Sequence, residues 1–418
     1  MKRTLLAGAV LAALVVVPAA PASAELGAAC PPGSVPGGAF DDVDADGHGP
    51  AIDCVYWHGI TGGTTTLTFA PSHIVRRDQG AALLARTVET AGAGLPAPAD
   101  QGFADIAGSP HRDRIDQLAA AGVVSGTSAT TYTPLGPVHR DQMATLLVRT
   151  YEHVTGVELA QGDHPFVDVA GNAHEEAIAK AVVAGFTEGV SAETYRPREL
   201  VRRDQMARFI ARMLDKLVAD GHAAPRPGGF EGRARPLPDD IRAFMTGRSW
   251  RAGCPVGLDG LALLEVTYHG FDERPHWGRM VVAASVAQPT VEALRRLHDA
   301  RFPLARMRLV DHYGADDDAS MDDNNTSAFN CRRVTGGSSW SEHSYGTAID
   351  VNPVQNPYVR DSTVLPAAGG DYLDRNSVRP GMIVRPGPVT DAFAAMGWGW
   401  GGDFRSLRDF MHFSQSGR

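Results

Sequence analysis

Apolar and polar positions along this chain follow two rhythms. Up to about residue 217 the spacing is helical: Met143, Leu146, Leu147, Tyr151 and Val154 recur at i, i+3 and i+4, which draws one apolar stripe along an amphipathic helix. The stretch before it, 126–134, is rich in Gly, Thr and Pro and predicts an extended loop. Beyond residue 240 the segments shorten and mix. Residues 261–268, 279–284 and 307–310 predict strands, 241–245 a short helix, and 290–300 a helix with Val291, Leu294 and Leu297 on one face. Such mixing predicts an α+β domain over 240–418. Between the two halves, 218–239 contains HAAPRPGG and RARPLP without apolar periodicity and predicts a linker.

The helical half also repeats itself. Phe40, Phe103 and Phe166 fall 63 residues apart, as do His48, His111 and His174, then Ile52, Ile115 and Ile178, and the register holds through Pro71, Pro134 and Pro197. This predicts three copies of one helix-loop-helix unit, over 25–97, 98–160 and 161–217, none able to bury its apolar face alone. Arg77, Arg140 and Arg203 stand where each second helix begins, and a cation there opposes the helix macrodipole. Two arrangements remove the conflict. Either an anion binds the exposed amides and the arginines together, or Asp78, Asp141 and Asp204 cap the helices and neutralise the neighbouring Arg. Asp42, Asp44, Asp46, Gly47 and Asp53 match part of a calcium loop, but Asp42 is the repeat's own aspartate, shared with Asp105 and Asp168, and the last loop position lacks the usual Glu.

Composition narrows the class. A chain of 418 residues has room for two or three domains. Its net charge of -9 disfavours nucleic acid as a partner, since that polyanion is held by Lys and Arg. Local basic clusters can still meet anionic wall polymers. Residues 1–24 combine Lys2 and Arg3, an apolar run and the small residues Ala22, Ser23 and Ala24, the layout of a secretory signal peptide. The run is too short to span a bilayer comfortably, and no later stretch qualifies, so an exported protein without a membrane span after cleavage is expected. Export makes the four cysteines readable as disulfides, of which three pairings exist. Pairing within regions, Cys30 with Cys54 and Cys254 with Cys331, is the expected one; no CxxC spacing supports a zinc thiolate site.

Chemistry concentrates in two stretches, SSWSEHSYGTAID at 338–350 and GWGWGGDFRSLRDFMHF at 397–413. They hold His343, Asp350, Asp409 and His412. A catalytic zinc takes three ligands from His, Asp or Glu and leaves one position to water. His343 and Asp350, seven apart around Gly346, suit two short strands joined by a tight turn. His343, Asp350 and His412 are the expected Zn2+ ligands, with Asp409 as general base.

These residues carry a family resemblance. SxHxxGxAxD, then GWxWGGxF and DxxHF, together with NPY at 356–358 and SAFNCR at 327–332, resemble the zinc D-alanyl-D-alanine carboxypeptidases of VanY-like type and the L-alanyl-D-glutamate endopeptidases. The resemblance implies the small α+β fold shared with the zinc domain of hedgehog and hydrolysis of an amide in peptidoglycan stem peptides. It also implies an arginine that stabilises developing negative charge, for which Arg332 is the nearest candidate, with Arg333 and Arg306 as alternatives. Ser341 is a candidate substrate contact or turn cap, and Trp398, with Trp400, a candidate pocket wall. The acidic run 316–323 is expected to be a solvated loop over the site. The repeats, with FxDV, an aromatic, xP and RDQ in order, resemble S-layer homology modules. That implies a pseudo-threefold helical assembly holding an anionic wall polysaccharide, with Arg77, Arg140 and Arg203 as candidate contacts, and a secreted, wall-associated enzyme. Alternatives are an L-Ala-D-Glu or D,D-endopeptidase and a non-catalytic wall-binding protein; oligomeric state is not legible.

Overall fold

The computed structural model describes residues 26–45, 47–334 and 337–417; the expected targeting segment at 1–24 and Asp46 of the calcium-like stretch lie outside the described residues. The helical half holds α1 (Gly49–Trp57), α2 (Arg77–Thr90), α3 (Arg112–Ala120), α4 (Arg140–Thr155), α5 (Glu175–Val183) and α6 (Arg203–Ala219). They pack cyclically, α3 on α2, α5 on α4 and α1 on α6. At the centre, three buried valines close a ring of backbone hydrogen bonds: Val138 N–H donates to Val75, Val201 to Val138 and Val75 to Val201, at 3.1, 2.9 and 2.9 Å.

The same bonds recur 63 residues apart around that ring. Asp42, Asp105 and Asp168 each accept two consecutive amides, of Phe69 and Ala70, Tyr132 and Thr133, and Tyr195 and Arg196. The second residue of each pair is left-handed, with φ of 58, 59 and 58°, a conformation that needs such support outside glycine. Asp42 is thereby committed to the backbone, which removes the first ligand of the calcium-like stretch.

The C-terminal half begins earlier than its apolar pattern predicts. Residues 232–236, read as linker, form β1 (Gly232–Pro236), the outer strand of an antiparallel sheet β1-β2-β3 with β2 (Leu261–His269) and β3 (Pro275–Ala283). An edge strand tolerates Pro and Arg because only one side of its ladder is paired, so it shows no apolar alternation. Between β1 and β2 lies α7 (Asp239–Met245), and α8 (Ala287–Asp299) lays Val291, Leu294 and Leu297 on Leu264, Val266, Met280 and Val282. The opposite face of the sheet, through Leu261, Leu263 and Val281, packs on Ile241 and Met245. Burial on both faces explains the nearly unbroken apolar run of β2. Residues 307–310 form no strand: Met307 accepts one bond from Arg279 and a 3-10 turn starts at Val310. The acidic run is partly helical, α9 (Asp317–Asp322), capped by Asp316, whose carboxylate accepts the Ala319 amide.

Short strands complete the domain: β4 (Ala348–Asp350), β5 (Tyr358–Arg360), β6 (Thr363–Leu365), then α10 (Pro388–Ala394), β7 (Gly399–Trp400), β8 (Arg408–Asp409) and β9 (His412–Ser414), in sheets ordered β4-β9-β7 and β6-β5-β8. The disulfides are Cys30–Cys54 and Cys254–Cys331, both within regions. Among the described residues no helix is long and apolar enough to cross a membrane.

The two halves touch along β3. Gly37 bridges His276, accepting the Trp277 amide at 2.8 Å and donating to Pro275 at 3.1 Å. Trp277 meets the rings of Tyr56 and Trp57. Beneath this seam Glu265, 2% exposed, accepts from Arg233, Arg235 and Arg279, and Arg279 also donates to the Ala39 carbonyl. Burial works to raise the Glu265 carboxyl, but the guanidiniums of Arg279, Arg233 and Arg235 outweigh it and hold it below the ordinary range. With the folded value depressed, this stabilisation is present above the unfolded pKa of about 4.3 and is lost as pH falls through the folded one. The melting temperature is therefore expected to drop on acidification below about pH 4, and Glu265→Gln to flatten that drop while costing about 3 kcal/mol at pH 7. Thermal melts of both proteins across pH 3–8 check this; parallel curves would contradict it.

Candidate metal centre and active site

The local chain path brings two distant stretches together. Ser341 ends an extended segment, and its hydroxyl accepts the His343 amide at 3.4 Å, opening a 3-10 turn over Glu342–Tyr345. Gly346 reverses the chain at φ 69°, and a Cβ there would lie 2.5 Å from the Ala283 nitrogen. Only glycine fits both demands. Ala283 donates to the Gly346 carbonyl at 2.8 Å, so the turn is pinned to the end of β3. His343 is thus on a turn and Asp350 on β4, not on two paired strands as its spacing predicts; a 3-10 turn shows no alternation to read.

β4 pairs antiparallel with β9, and Asp350 stands directly opposite His412. Opposed residues in an antiparallel pair project to the same face. The result is a buried triad in which His343, Asp350 and His412 are 4, 7 and 8% exposed. His343 Nε2 lies 3.3 Å from His412 Nδ1 and 3.1 Å from Asp350 Oδ2, and His412 Nδ1 lies 3.0 Å from Asp350 Oδ1. His343 Nδ1 sits 2.6 Å from the Ala328 carbonyl. A carbonyl only accepts, so Nδ1 carries the proton and leaves a lone pair on Nε2 toward the triad.

This donor set fits a zinc ion. Bonds of about 2.0–2.2 Å in a tetrahedron place neighbouring ligand atoms roughly 3.3–3.5 Å apart, close to the 3.3 Å between the two imidazole nitrogens, and one ligand atom from each of the three residues lies within 4.8 Å of the others. The electrostatics agree: burial works against charge on His412, but its bond to Asp350 and the charge of Asp409 raise it to about 9. Burial likewise opposes ionisation of Asp350, yet His343 and His412 hold it far below the ordinary range. A metal there would have to displace the proton that His412 shares with Asp350. A second cluster, Cys30, Cys54 and His58, does not fit a metal, because both sulfurs are in the disulfide.

Asp409 borders the triad on β8, opposite Tyr358 of β5. Its Oδ1 is buried with no hydrogen-bond partner among the described residues. Burial, with Asp350 and Asp317 adding to it against the pull of His412 and His343, raises its carboxyl to about 7. Arg332 lies on the segment that flanks the His343 turn: the Ser341 amide donates to its carbonyl, its own amide donates to Ser344 Oγ, and the neighbouring Asn330 amide donates to the His343 carbonyl. Its guanidinium pairs with Asp317 Oδ2 at 2.5 Å. Arg333 instead covers the Trp340 ring and donates to Ser338, and Arg306 pairs with Asp323.

Other candidates are placed elsewhere. Trp398 is 5% exposed and stacks on Phe393 within the core, so it packs rather than lines a substrate surface. Ser341 caps the turn, and its exposure of 6% leaves little for a substrate. The three repeat arginines, expected as wall-polymer contacts, are engaged within the fold. Arg77 donates to the carbonyls of Tyr132 and Ser125, Arg140 to Tyr195 and Glu188, and Arg203 to Phe69 and Gly62, each also lying over the aromatic ring of the next copy. The first two amides of each second helix donate to carbonyls of the same loops, as Arg77 and Asp78 do to Gly136 and Pro134. Carbonyls therefore take the place of the anion, and the macrodipole conflict ends inside the fold. Asp317 went unnoticed in the sequence because three adjacent acids read as a solvated run, and only the fold shows which of them meets Arg332.

A helical half is joined to a small sheet-bearing domain with a buried His-Asp-His triad, and part of that domain matches a peptidase family. Residues 335–415 match the D-alanyl-D-alanine carboxypeptidase family, and 102–144 and 165–207 match the S-layer homology domain. Among curated relatives, the chain is 28% identical over 174 residues to an endoglucanase of Bacillus sp. (strain KSM-635), covering 41% of this chain and 18% of that protein. It is 29% identical over 185 residues to an S-layer protein of Bacillus thuringiensis subsp. finitimus, covering 43% and 22%, and 32% identical over 100 residues to a surface-layer 125 kDa protein of Lysinibacillus sphaericus, covering 24% and 8%. The chain thus spans about a fifth of the length of the first two.

Because Trp398 packs in the core, Trp398→Ala is expected to cost about 3–5 kcal/mol of stability. Urea unfolding checks this; a stable variant with impaired substrate binding alone would restore it as a pocket residue.

Proposed function

We propose that the C-terminal half is a zinc peptidase that hydrolyses an amide bond in peptidoglycan stem peptides, exported and held at the cell surface by the repeats. The observation that carries it is the convergence of His343 Nε2, Asp350 and His412 Nδ1 within 3.0–3.3 Å of one another, beside an unpartnered buried carboxylate oxygen of Asp409. The match over 335–415 supports the D-alanyl-D-alanine carboxypeptidase type, with a related endopeptidase as its close variant. Residues 240–418 are assigned to this domain, with β1 adding to its sheet.

His343, Asp350 and His412 would hold the ion. Bound there, zinc supplies Lewis-acid polarisation of the scissile carbonyl and a lowered pKa for water. Asp409 takes the proton of the attacking water and returns it to the leaving amine. Its Oδ1 is buried with no hydrogen-bond partner among the described residues, which leaves it open to that exchange. Arg332 faces the negative charge that develops on the carbonyl oxygen. Ala328 keeps His343 in the tautomer that leaves Nε2 open.

In the helical half, 98–160 and 161–217 contain the matched S-layer homology stretches, and 25–97 is assigned as a third copy because its Asp42, Val75 and Arg203-facing loop make the bonds the other two make. The S-layer homology matches support attachment to a cell-wall polysaccharide, and the internal bonds of Arg77, Arg140 and Arg203 favour surfaces other than these arginines.

Incubation of the full chain with purified muropeptides, with and without chelator, followed by product mass, tests the activity. Asp409→Asn is expected to keep zinc and lose on the order of 10²–10⁴ in turnover; loss of metal would mean that Asp409 is a ligand and not the base. His343→Ala is expected to lose zinc, and an undiminished metal content would remove it from the ligand set.

A further inference from the structure

Arg332, on the segment that flanks the His343 turn, is already paired. Asp317 Oδ2 sits 2.5 Å from its NH2, with both side chains 27% exposed. NH1 donates weakly to the Arg333 carbonyl at 3.4 Å, and Nε is buried without a partner. An arginine kept for a substrate carboxylate would present a free fork for a bidentate contact. Here a protein carboxylate holds one arm of that fork. Asp317 also adds to the negative charge felt by Asp409, which sets the pair near the triad.

We infer that Asp317 is a specificity residue: by engaging Arg332 it turns the site against a peptide bearing a free carboxylate beside the scissile bond and toward an internal amide bond. The inference rests on the peptidase reading above and on the placement of Arg332 beside the His343 turn. A terminal carboxylate entering this site meets a neutralised guanidinium and the Asp317 charge, and like charges brought together at an interface are strongly unfavourable. An internal amide carries no such charge. It needs only one donor toward its carbonyl oxygen, and the NH1 arm, held only by the 3.4 Å bond to the Arg333 carbonyl, remains for that. Asp317 lies in the first turn of α9 while Asp316 caps that helix, so neutralising Asp317 leaves the cap in place.

The test uses two synthetic peptides spanning the bond that muropeptide digestion identifies. They are identical except that the residue after the scissile bond ends in a free carboxylate in one and in a carboxamide in the other. The zinc-loaded full chain is expected to cut the carboxamide with kcat/KM roughly tenfold or more above the acid. Asp317→Asn is expected to bring the two within about twofold, through a lower KM for the acid. As a check that needs no variant, high salt should narrow the wild-type preference, because screening weakens repulsion at the partly exposed pair. Preference for the acid in the wild type, or equal slowing of both peptides by Asp317→Asn, overturns the inference and leaves the peptidase reading standing. Cleavage of neither peptide nor any muropeptide overturns the peptidase reading itself.

Discussion

The candidate site depends on one strand pairing. Asp350 and His412 are 62 residues apart, yet the antiparallel register of β4 and β9 sets them directly opposite on one face. Shifting that register by one residue would turn one of them to the other side, since side chains alternate along a strand. The pairing is guarded from behind. Phe413, next to His412, stacks on Phe393 at 4.3 Å and lies buried with Ile349, its cross-strand partner and the neighbour of Asp350. Polar side chains point one way because apolar ones are held the other way. The burial that fixes the register also strips water from the triad, which strengthens its mutual interactions.

In the helical half the corresponding constraint is a closed ring. Each copy presents helix N-terminal amides that would be orphans, and each finds carbonyls in the loop of the next copy. The arginines at those positions do the same with their guanidiniums. Closure needs the segment around Gly62 and Phe69 as much as the two matched stretches, since Arg203 reaches back to both residues. The 63-residue regularity is therefore a requirement of bonding between copies as well as of apolar packing.

How much of this the sequence shows follows from range. Helices such as α4 and α6 are visible because their apolar faces repeat over several turns. The His and Asp residues of the triad are visible because few other roles put them beside Gly346 and at the chain's aromatic end. β1 was hidden by the prolines and arginines of an edge strand, and the turn bearing His343 has no period to detect. Arg77, Arg140 and Arg203 were misleading for a different reason. Their local context signals an unbalanced helix terminus, but the balancing carbonyls sit 48 to 55 positions away, or in the first copy for Arg203. The Arg332 and Asp317 pair likewise joins segments with no shared pattern.

Strand β3 ties the two halves to the chemistry. At its beginning, His276 and Trp277 take up the backbone of Gly37, and Arg279 reaches the Ala39 carbonyl. At its end, Ala283 holds the Gly346 carbonyl and so the turn that carries His343. Between these ends, Arg279 and Glu265 face each other across the ladder with β2. A strand within a paired sheet is stiff along its length, so the first helical copy and the metal turn are fixed to one element. Whatever surface the repeats engage, the triad is then presented to it at a set angle and distance, and the substrate must come within reach of that fixed position.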